Sequence, residues 1–384
     1  MTRRLGAVVG VIAVLATAYG TPATADAGWT VVARNLDNPR GLALDPSDRR
    51  WHGRDSTAAL YVAEAGRGGT GPCGIAGNFE LNCFGATGAI TRITSGGQRR
   101  VVTGLPSLAN LAGTTVTGPH DVALWNHRAY IPIGCGCTLA KRAAFGPAGA
   151  ALGTLVRAFL PGGMWRPVAD LVPVEDTLNP GGGDVNANPY ATLAQPGHRY
   201  VVDAGGNDLF DVRNEGRPGF EPSLELLSVF AGRLVPAPPF LGLPPGAMIP
   251  MDSVPTSIVR GPDGAYYVGE FTGFPFPVGG ARVYRLHPRA FGPPAVHATG
   301  FTTIIDLAFD HEGTLYVLQH RKFGLLGPNT TGALIKVGLD GSRTEIASTG
   351  LVNPTGLAIH DGFAFVSNFG TSTAVGEVVR IPLG

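Results

Sequence analysis

Short apolar segments separated by turns recur along the whole chain, and their spacing predicts a protein built of β-strands. One segment occurs six times, and five of its six copies carry Pro at the same position. The copies are N-P-R-G-L-A-L (38–44), G-P-H-D-V-A-L (118–124), N-P-Y-A-T-L-A (188–194), V-P-T-S-I-V-R (254–260), T-I-I-D-L-A-F (303–309) and N-P-T-G-L-A-I (353–359). Such self-similarity indicates a repeat architecture in which each repeat is one supersecondary unit.

A second apolar segment follows each copy, after a turn that often contains D-G, as at Asp263-Gly264 and Asp361-Gly362. The copies of this second segment are L-Y-V-A-E (60–64), A-Y-I-P-I (129–133), R-Y-V-V-D (199–203), Y-Y-V-G-E (266–270), L-Y-V-L-Q (315–319) and A-F-V-S-N (364–368). Two apolar runs joined by a tight turn predict a β-hairpin.

A third segment alternates apolar and polar residues at period two, as a half-buried strand does. Its copies are I-T-R-I (90–93), L-V-R-A (155–158), L-F-D-V (209–212), V-Y-R-L (283–286), L-I-K-V (334–337) and V-V-R-I (378–381). Fourth strands are predicted at 100–105, 224–231, 295–301 and 344–351, with a poorly defined one near 168–172.

The sixth repeat has no room for a fourth strand before Gly384, but the segment 30–39 resembles 345–354 of the fifth repeat. The N-terminal strand is therefore expected to complete the last repeat. This predicts an all-β, six-bladed β-propeller of four-stranded blades, in which closure leaves only short, protected strand edges. Blade starts at Pro39, Pro119, Pro189, Pro255, Ile304 and Pro354 place the large insertions in the first three repeats, where they are expected to cover one mouth of the channel.

The amino-acid composition agrees with this architecture and excludes two classes of binding partner. Of 384 residues, 57 are Gly and 32 are Pro, which leaves little room for long helices, while 44% hydrophobic residues argue against disorder. The 29 basic residues balance 28 acidic ones, so the basic excess needed to bind nucleic acid or an anionic membrane is absent. We expect a monomer that binds neither nucleic acid nor membranes.

The N-terminus has the pattern of a secretory signal peptide in residues 1–27. Arg3 and Arg4 precede a 14-residue apolar run (5–18), and small residues at A-x-A spacing follow in 23–27. The run is shorter than the roughly 20 residues that cross a bilayer. Ordinary Sec export is favoured over twin-Arg export because Gly6 and Ala7 are weakly apolar. The mature chain, 28–384, is expected to be a single secreted domain, since the Pro-rich stretch 236–250 falls inside a repeat.

Four Cys in an exported protein favour disulfides over metal thiolates. Cys73 and Cys83 bracket a Gly-rich loop and are predicted to pair. Cys135 and Cys137 either close on each other across Gly136 or pair with the first loop. A metal site would need at least three ligands, and no His lies within several residues of this pair.

The polar ends of the second segments suggest a cation site. Equivalent positions in a propeller lie at equivalent radii, so Glu64, Ile133, Asp203, Glu270, Gln319 and Asn368 should form a ring near one end of the channel. The D-x-N-x-N segment (184–188) adds oxygen donors on one face of an extended strand, although it is no EF-hand because Pro189 and Gln195 occupy the required Gly and Glu positions. The predicted Ca²⁺ ligands are Glu64, Asp203, Glu270, Asn368, Asn186 and Asn188. The alternative is a hydrated channel that binds only water.

Two histidines near the predicted axis, His120 and His320, are the candidates for general base and acid in a hydrolytic reaction. A hydrogen-bonded core or surface role is the more common one for such a residue. The chain contains no G-x-S-x-G, H-E-x-x-H or P-loop motif, which argues against serine hydrolases, zinc proteases and nucleotide binding.

The sequence resembles the ScyD/ScyE family of exported bacterial propellers over nearly the whole mature chain. The strings that carry the resemblance include N-P-R-G-L-A-L (38–44), L-Y-V-A-E-A-G-R-G-G-T-G-P-C-G (60–74), Y-V-V-D-A-G-G-N-D-L (200–209) and Y-Y-V-G-E-F-T-G-F-P-F-P-V-G-G-A-R-V-Y-R (266–285). The resemblance implies an exported propeller but no general activity and no catalytic residue set. A more distant similarity, to NHL-repeat propellers and gluconolactonase-like lactonases with a metal in the channel, is at the level of fold. The chain departs from the lactonase pattern at Ile133 and Gln319.

Two functions follow as hypotheses. In the first, the protein is a secreted binding propeller that recognises a small molecule or an exported protein partner at a channel rim covered by long loops. In the second, it is a cation-dependent lactonase or esterase, in which a channel cation polarises a carbonyl and a His or carboxylate activates water.

Overall fold

Each repeat forms one antiparallel four-stranded sheet, and six such sheets stand as blades around a central axis in the computed structural model. The structure describes residues 28–45, 59–77, 80–160, 162–215, 221–288 and 292–384. The prediction of a six-bladed propeller is confirmed. The predicted signal peptide, 1–27, lies outside the described residues.

The strands run from the axis outwards in the order predicted by the repeats. From the innermost to the outermost strand they are Pro39–Leu44, Leu60–Glu64, Glu80–Thr94 and Gly97–Asn110 in blade 1; Ala123–Trp125, Arg128–Ile133, Thr154–Phe159 and Trp165–Asp170 in blade 2; Pro189–Gln195, His198–Asp203, Asp208–Arg213 and Ser223–Val229 in blade 3; Pro255–Arg260, Tyr266–Glu270, Ala281–Leu286 and Ala295–Phe301 in blade 4; Ile304–Phe309, Leu315–Gln319, Ala333–Val337 and Arg343–Ala347 in blade 5; and Gly356–His360, Phe363–Asn368, Gly376–Pro382 and Thr30–Leu36 in blade 6.

A few further elements decorate this ring. Blade 1 carries the added strands Cys73–Ala76 and Val116–Thr117, and a separate hairpin pairs Arg233–Pro236 with Met248–Met251. The helices are short: α1 (Leu139–Ala143), α2 (Val172–Leu178) and the 3₁₀ turns Gly146–Ala151 and Pro239–Leu241. Within the described part of the chain, no helix has the length and apolarity needed to cross a membrane.

The recurring Pro marks where the innermost strands begin. Pro39, Pro189 and Pro255 are each the first residue of their strand. Pro is tolerated at this position because the backbone N–H that it lacks is not needed for the sheet ladder. The residue just before the recurring position has a positive φ in four blades, where the chain turns into the strand. These residues are Asn38, Val254, Thr303 and Asn353.

The hydrophobic core is divided into six main clusters, one at each contact between neighbouring blades. Strand alternation explains this division. In the second strand of blade 4, Tyr266 and Val268 pack towards blade 3, while Tyr267 packs towards blade 5. A strand between two neighbours therefore buries both of its faces, as the uniformly buried Tyr266–Glu270 does.

The N-terminal strand closes the ring as predicted. Thr30–Leu36 pairs antiparallel with Gly376–Pro382, and the register sets Thr30 opposite Arg380 and Leu36 opposite Gly376. Leu36 and Ala33 lie in the cluster between blades 6 and 1. The last blade thus obtains its fourth strand from the N-terminal segment Thr30–Leu36.

The long connections gather at one end of the propeller, here called the top face, where the second strands end and the first strands begin. The predicted pair Cys73–Cys83 is present, and Cys135–Cys137 closes on itself. Backbone hydrogen bonds from Gly77 N to Gly136 O (2.7 Å) and from Ala187 N to Cys137 O (3.1 Å) link the loops of blades 1, 2 and 3. The insertions of the first three repeats therefore form one connected layer.

Replacing Leu36 by Ala tests the closure. Leu36 is 1% exposed, and truncating a buried Leu costs about 2–5 kcal/mol. Arg34→Ala, on the same strand with a side chain 67% exposed, should change the unfolding free energy by less than about 1 kcal/mol. Urea unfolding of both variants measures the difference. Equal losses would contradict the role of this strand in the core.

Candidate functional site

The polar residues that end the second strands accept hydrogen bonds from within their own blade. Four of them accept a hydrogen bond from the segment that leads into the first strand. These bonds run from Asp37 N to Glu64 Oε2 (2.8 Å), from Asn188 N to Asp203 Oδ1 (2.7 Å), from Thr302 N to Gln319 Oε1 (2.7 Å) and from Val352 N to Asn368 Oδ1 (2.7 Å). In blade 4, Glu270 accepts instead from the hydroxyls of Ser253 (2.8 Å) and Tyr284 (2.9 Å).

Two of the three predicted carboxylate ligands have arginine partners. Arg100 binds both oxygens of Glu64, at 3.0 and 2.6 Å, and Arg233 binds both oxygens of Glu270. The structure does not bring Glu64, Asp203 and Glu270 into one cluster. Among the residues described, no group of three or more His, Cys, Asp and Glu is arranged to hold a metal ion. Glu64 and Glu270 therefore each form an ion pair with an arginine.

The two Asn of the D-x-N-x-N segment lie beside Asp203. The side-chain oxygen of Asn188 accepts a hydrogen bond from Cys135 N (3.2 Å), which ties blade 3 to the Cys135–Cys137 loop. The backbone N–H of Asn186 donates to Glu175 Oε1 at 3.4 Å, and its side-chain oxygen has no partner. Asp203 and the two Asn are therefore the predicted ligands that the structure does place together.

The top of the axial channel holds a buried guanidinium. Arg40 donates from Nη1 to Gly370 O of blade 6 and from Nη2 to Val116 O (3.0 Å) ahead of blade 2. Burial lowers the pKa of Arg40. Among the described residues Arg40 forms no salt bridge within 4 Å, so its charge is held by carbonyl groups.

Tyr190 crosses the channel. It lies on the first strand of blade 3, yet its side chain packs against the hydrophobic cluster between blades 5 and 6. Its ring also contacts His120, with ring centroids 4.5 Å apart. Burial raises the pKa of Tyr190 to about 12, so the phenol stays protonated at neutral pH.

Two aspartates occupy the same repeat position in blades 2 and 5, which face each other in a six-bladed ring: Asp121 lies just before the innermost strand of blade 2, and Asp306 lies on that of blade 5. Asp121 accepts from Thr192 N (2.9 Å) and Asp306 accepts from Leu357 N (2.7 Å), each on the next blade. Burial raises the pKa of Asp121 to about 6. Burial, together with the charge of Asp121, raises the pKa of Asp306 well above its ordinary value. The shared position of the two Asp is visible in the sequence, because each stands two residues after the recurring Pro position.

The two candidate catalytic histidines link neighbouring blades. The Nδ1–H of His120 donates to Pro189 O (3.1 Å), and that of His320 donates to Pro354 O (3.0 Å), because a carbonyl can only accept. Burial lowers the pKa of both imidazoles to about 3. They are neutral and weakly basic at physiological pH. Their catalytic role stays a prediction, with a structural role visible beside it.

Exposed large apolar side chains are concentrated on the top face of blades 4 and 5. This surface, called the apolar rim, consists of Leu234, Phe240, Leu241, Leu243, Met248, Phe274, Val278, Phe323 and Leu326. These side chains stand on three loops, 234–248, 274–278 and 323–326, which contact one another. The ring of Phe274 contacts those of Phe240 and Phe276, at centroid distances of 6.3 and 6.2 Å. A Cβ placed on Gly324 would lie 2.7 Å from Phe276 O, so the third loop packs on the second.

A groove of about 610 Å³ lies on the opposite face, between blades 3 and 4. Buried Asp211 accepts hydrogen bonds from two side chains that line the groove, from His198 Nδ1 (2.8 Å) and from Arg213 Nε (2.6 Å). Arg260 and the rings of Tyr200 and Tyr266 complete the lining. The groove is separate from the apolar rim, which lies on the top face.

The raised pKa of Asp121 predicts a pH dependence of stability. The native protein keeps a proton on Asp121 that the unfolded chain has released, so this contribution is present near pH 4 and is lost as pH rises through about 6. It amounts to about 3 kcal/mol. Asp121→Asn should flatten the fall of unfolding free energy between pH 4 and 7, as measured by urea unfolding. Parallel curves for the two proteins would refute the assignment.

Comparison with known proteins gives the fold and no family. No family model matches the chain, and neither does any curated protein. Solved structures that resemble it include an oxidoreductase described as a glucose dehydrogenase from Thermus thermophilus (15% identity, 92% of this chain and 99% of that one, TM-score 0.50). A PQQ-bound aldose sugar dehydrogenase from Streptomyces coelicolor is similar as well (12%, 92% and 96%, 0.51).

A protein assigned to the gluconolactonases also matches over most of its length (14% identity, 94% of this chain and 93% of that one, TM-score 0.47). Identities this low carry no residue roles from one protein to another, because one fold hosts many unrelated activities. What the chain shares with the two dehydrogenase structures is the fold.

Proposed function

We propose that this chain is an exported binding propeller that docks an apolar surface of another exported protein on its apolar rim. The observation that carries the proposal is the contiguity of the rim, in which side chains as exposed as Phe240 (61%) and Val278 (67%) stand on three touching loops. Exposed apolar patches of this kind are typical of interaction sites. Aromatic side chains are the residues that most often dominate binding energy at such sites.

The shape of the rim favours a protein partner over a small molecule. Small ligands are mostly enclosed by concave pockets. Here the side chains project from loops, and the hairpin formed by Arg233–Pro236 and Met248–Met251 supplies several of them. Arg233 anchors this hairpin by binding Glu270 and the backbone oxygen of Gly280, so the projecting loops have a fixed base.

Export is part of the proposal. The two disulfides, Cys73–Cys83 and Cys135–Cys137, fit an oxidising compartment. The charge and apolarity pattern of residues 1–27 supports the same location. The resemblance to the ScyD/ScyE family, whose members are exported propellers, agrees with both.

A lactonase-type hydrolase is the second candidate, and the axial channel is what favours it. Asp121, with its pKa raised to about 6, has the proton affinity of a general base that works near neutral pH. In that case Arg40 would be the charge available to a developing oxyanion at the top of the channel.

Removal of the rim aromatics tests the binding function. The double variant Phe240→Ser/Phe274→Ser should lose capture of the partner from the culture medium of the producing organism, by at least about tenfold, because each buried aromatic anchor supplies about 2 kcal/mol or more. Leu339→Ser, fully exposed on blade 5 away from the rim, is the matched control. Both variants should unfold at the wild-type temperature.

The readout is the set of proteins retained on immobilised propeller, identified by mass spectrometry, with the affinity of the main one then measured in purified form. A partner retained equally by wild type, control and double variant would overturn the role of the rim.

A panel of lactones and esters, assayed with and without chelator, tests the second candidate. If the channel is catalytic, Asp121→Asn should lower kcat at least about a hundredfold with the folded state intact. Full activity in that variant, or no turnover of the panel by the wild type, removes the hydrolase hypothesis.

A further inference from the structure

Three carboxylates are buried together at the top of blade 3. Asp203 ends the second strand, Asp208 begins the third strand, and Glu175 comes from α2 in the connection between blades 2 and 3. Their exposed fractions are 1%, 0% and 2%. The turn between the two strands contains Gly205 and Gly206.

Several oxygens of this group lack hydrogen-bond partners. Both carboxylate oxygens of Asp208, Oε2 of Glu175 and the side-chain oxygen of Asn186 are buried and unbonded. Three of them surround one point: a Cβ placed on Gly206 would lie 2.9 Å from Glu175 Oε2 and 3.1 and 3.3 Å from the oxygens of Asp208. The Asn186 side chain is adjacent, with its Cγ 3.1 Å from a Cβ placed on Gly205.

Asp203 differs from its two neighbours. Its Oδ1 accepts three backbone hydrogen bonds, from Asn188 N (2.7 Å), Gly205 N (2.9 Å) and Gly206 N (3.0 Å). Its Oδ1 is therefore already satisfied by the backbone, in contrast to the unbonded oxygens of Asp208 and Glu175. In the described part of the chain, none of the three carboxylates has a basic side chain within salt-bridge distance. Buried charges without such partners are costly unless a cation balances them.

We propose that Asp208, Glu175 and Asn186 bind a divalent cation, Ca²⁺, beside the Gly205-Gly206 turn. The donors are all oxygens, which Ca²⁺ prefers, and water would complete its six to eight ligands. Two carboxylates and one amide would supply the protein ligands. The site shares Asn186 with the ligand set predicted from the sequence, but Asp208 and Glu175 do not belong to the ring of strand ends.

A cation there would fix one connection of the top face. Glu175 and Asn186 stand at the two sides of the segment between blades 2 and 3, and Asp208 belongs to the blade itself. The neighbouring Ala187 pairs with Cys137, so the ion would also steady the layer that includes the Cys135–Cys137 loop. The proposal does not depend on the apolar rim, which lies on blades 4 and 5.

The test is Ca²⁺ binding by the full exported protein after treatment with chelator. Isothermal titration with CaCl₂ should show one site, and millimolar Ca²⁺ should raise the melting temperature, because a ligand that binds only the folded state stabilises it. Asp208→Asn and Glu175→Gln should each weaken the affinity at least about tenfold. Asp184→Asn, an exposed Asp in the same connection, is the matched control and should bind as the wild type does.

Two further measurements keep the outcome decisive. If Asp208→Asn does not fold, Gly206→Ala replaces it, since the added methyl group would enter the space between the donors and should also weaken Ca²⁺ binding. Glu270→Gln should leave the Ca²⁺ affinity unchanged, because Glu270 is held by Arg233. No heat of binding, no change in melting temperature and no metal in elemental analysis would overturn the proposal and leave protons to neutralise the cluster. Equal affinity in Asp208→Asn, Glu175→Gln and wild type would overturn it as well.

Discussion

Every blade of this propeller depends on its two neighbours to cover it, and that mutual burial is the constraint from which the rest of the structure follows. Strands such as Leu60–Glu64 and Leu315–Gln319 are buried on both faces. An open row of blades would leave two apolar faces in water. The ring must therefore close. Closure is made by the N-terminal strand Thr30–Leu36, which pairs with Gly376–Pro382 in the last blade. Backbone hydrogen bonds of about 1 kcal/mol each and the burial of Leu36 stabilise that seam.

Closure also decides what the polar residues near the axis can do. The connections into the innermost strands turn sharply, and buried backbone N–H groups in them, such as those of Asp37 and Thr302, need hydrogen-bond acceptors. The ends of the second strands provide them, through Glu64, Asp203, Gln319 and Asn368. Much of the polar chemistry that a repeat alignment places near the channel is therefore structural. The residues for which we propose a function lie elsewhere: in the loops of the top face, at the axial aspartates and in the buried group around Asp208.

The fold was predictable from the sequence because it is periodic. Strand positions, the closing strand and the pair Cys73–Cys83 follow from patterns that the six repeats share or from local spacing. The arginine partners of Glu64 and Glu270 were not predictable, because they lie 36 and 37 residues away in the chain. Arg100 stands on a fourth strand whose pattern shows no pairing with Glu64, and Arg233 belongs to a hairpin that the other repeats lack. Nor could Glu175 be predicted as a member of the buried group, because α2 belongs to an insertion that only one blade has. Asp121 and Asp306 were visible as a shared column, but their pKa shifts depend on burial that the sequence does not display.

We propose that the apolar rim binds a protein partner, and hydrogen exchange of the partner-bound protein tests this most directly. Backbone amides of 234–248, 274–278 and 323–326 should become protected when the captured partner binds. Amides lining the groove between blades 3 and 4, on the opposite face, should exchange as they do in the free protein. Protection confined to that groove or to the channel strands, with the three rim loops unchanged, would contradict the account.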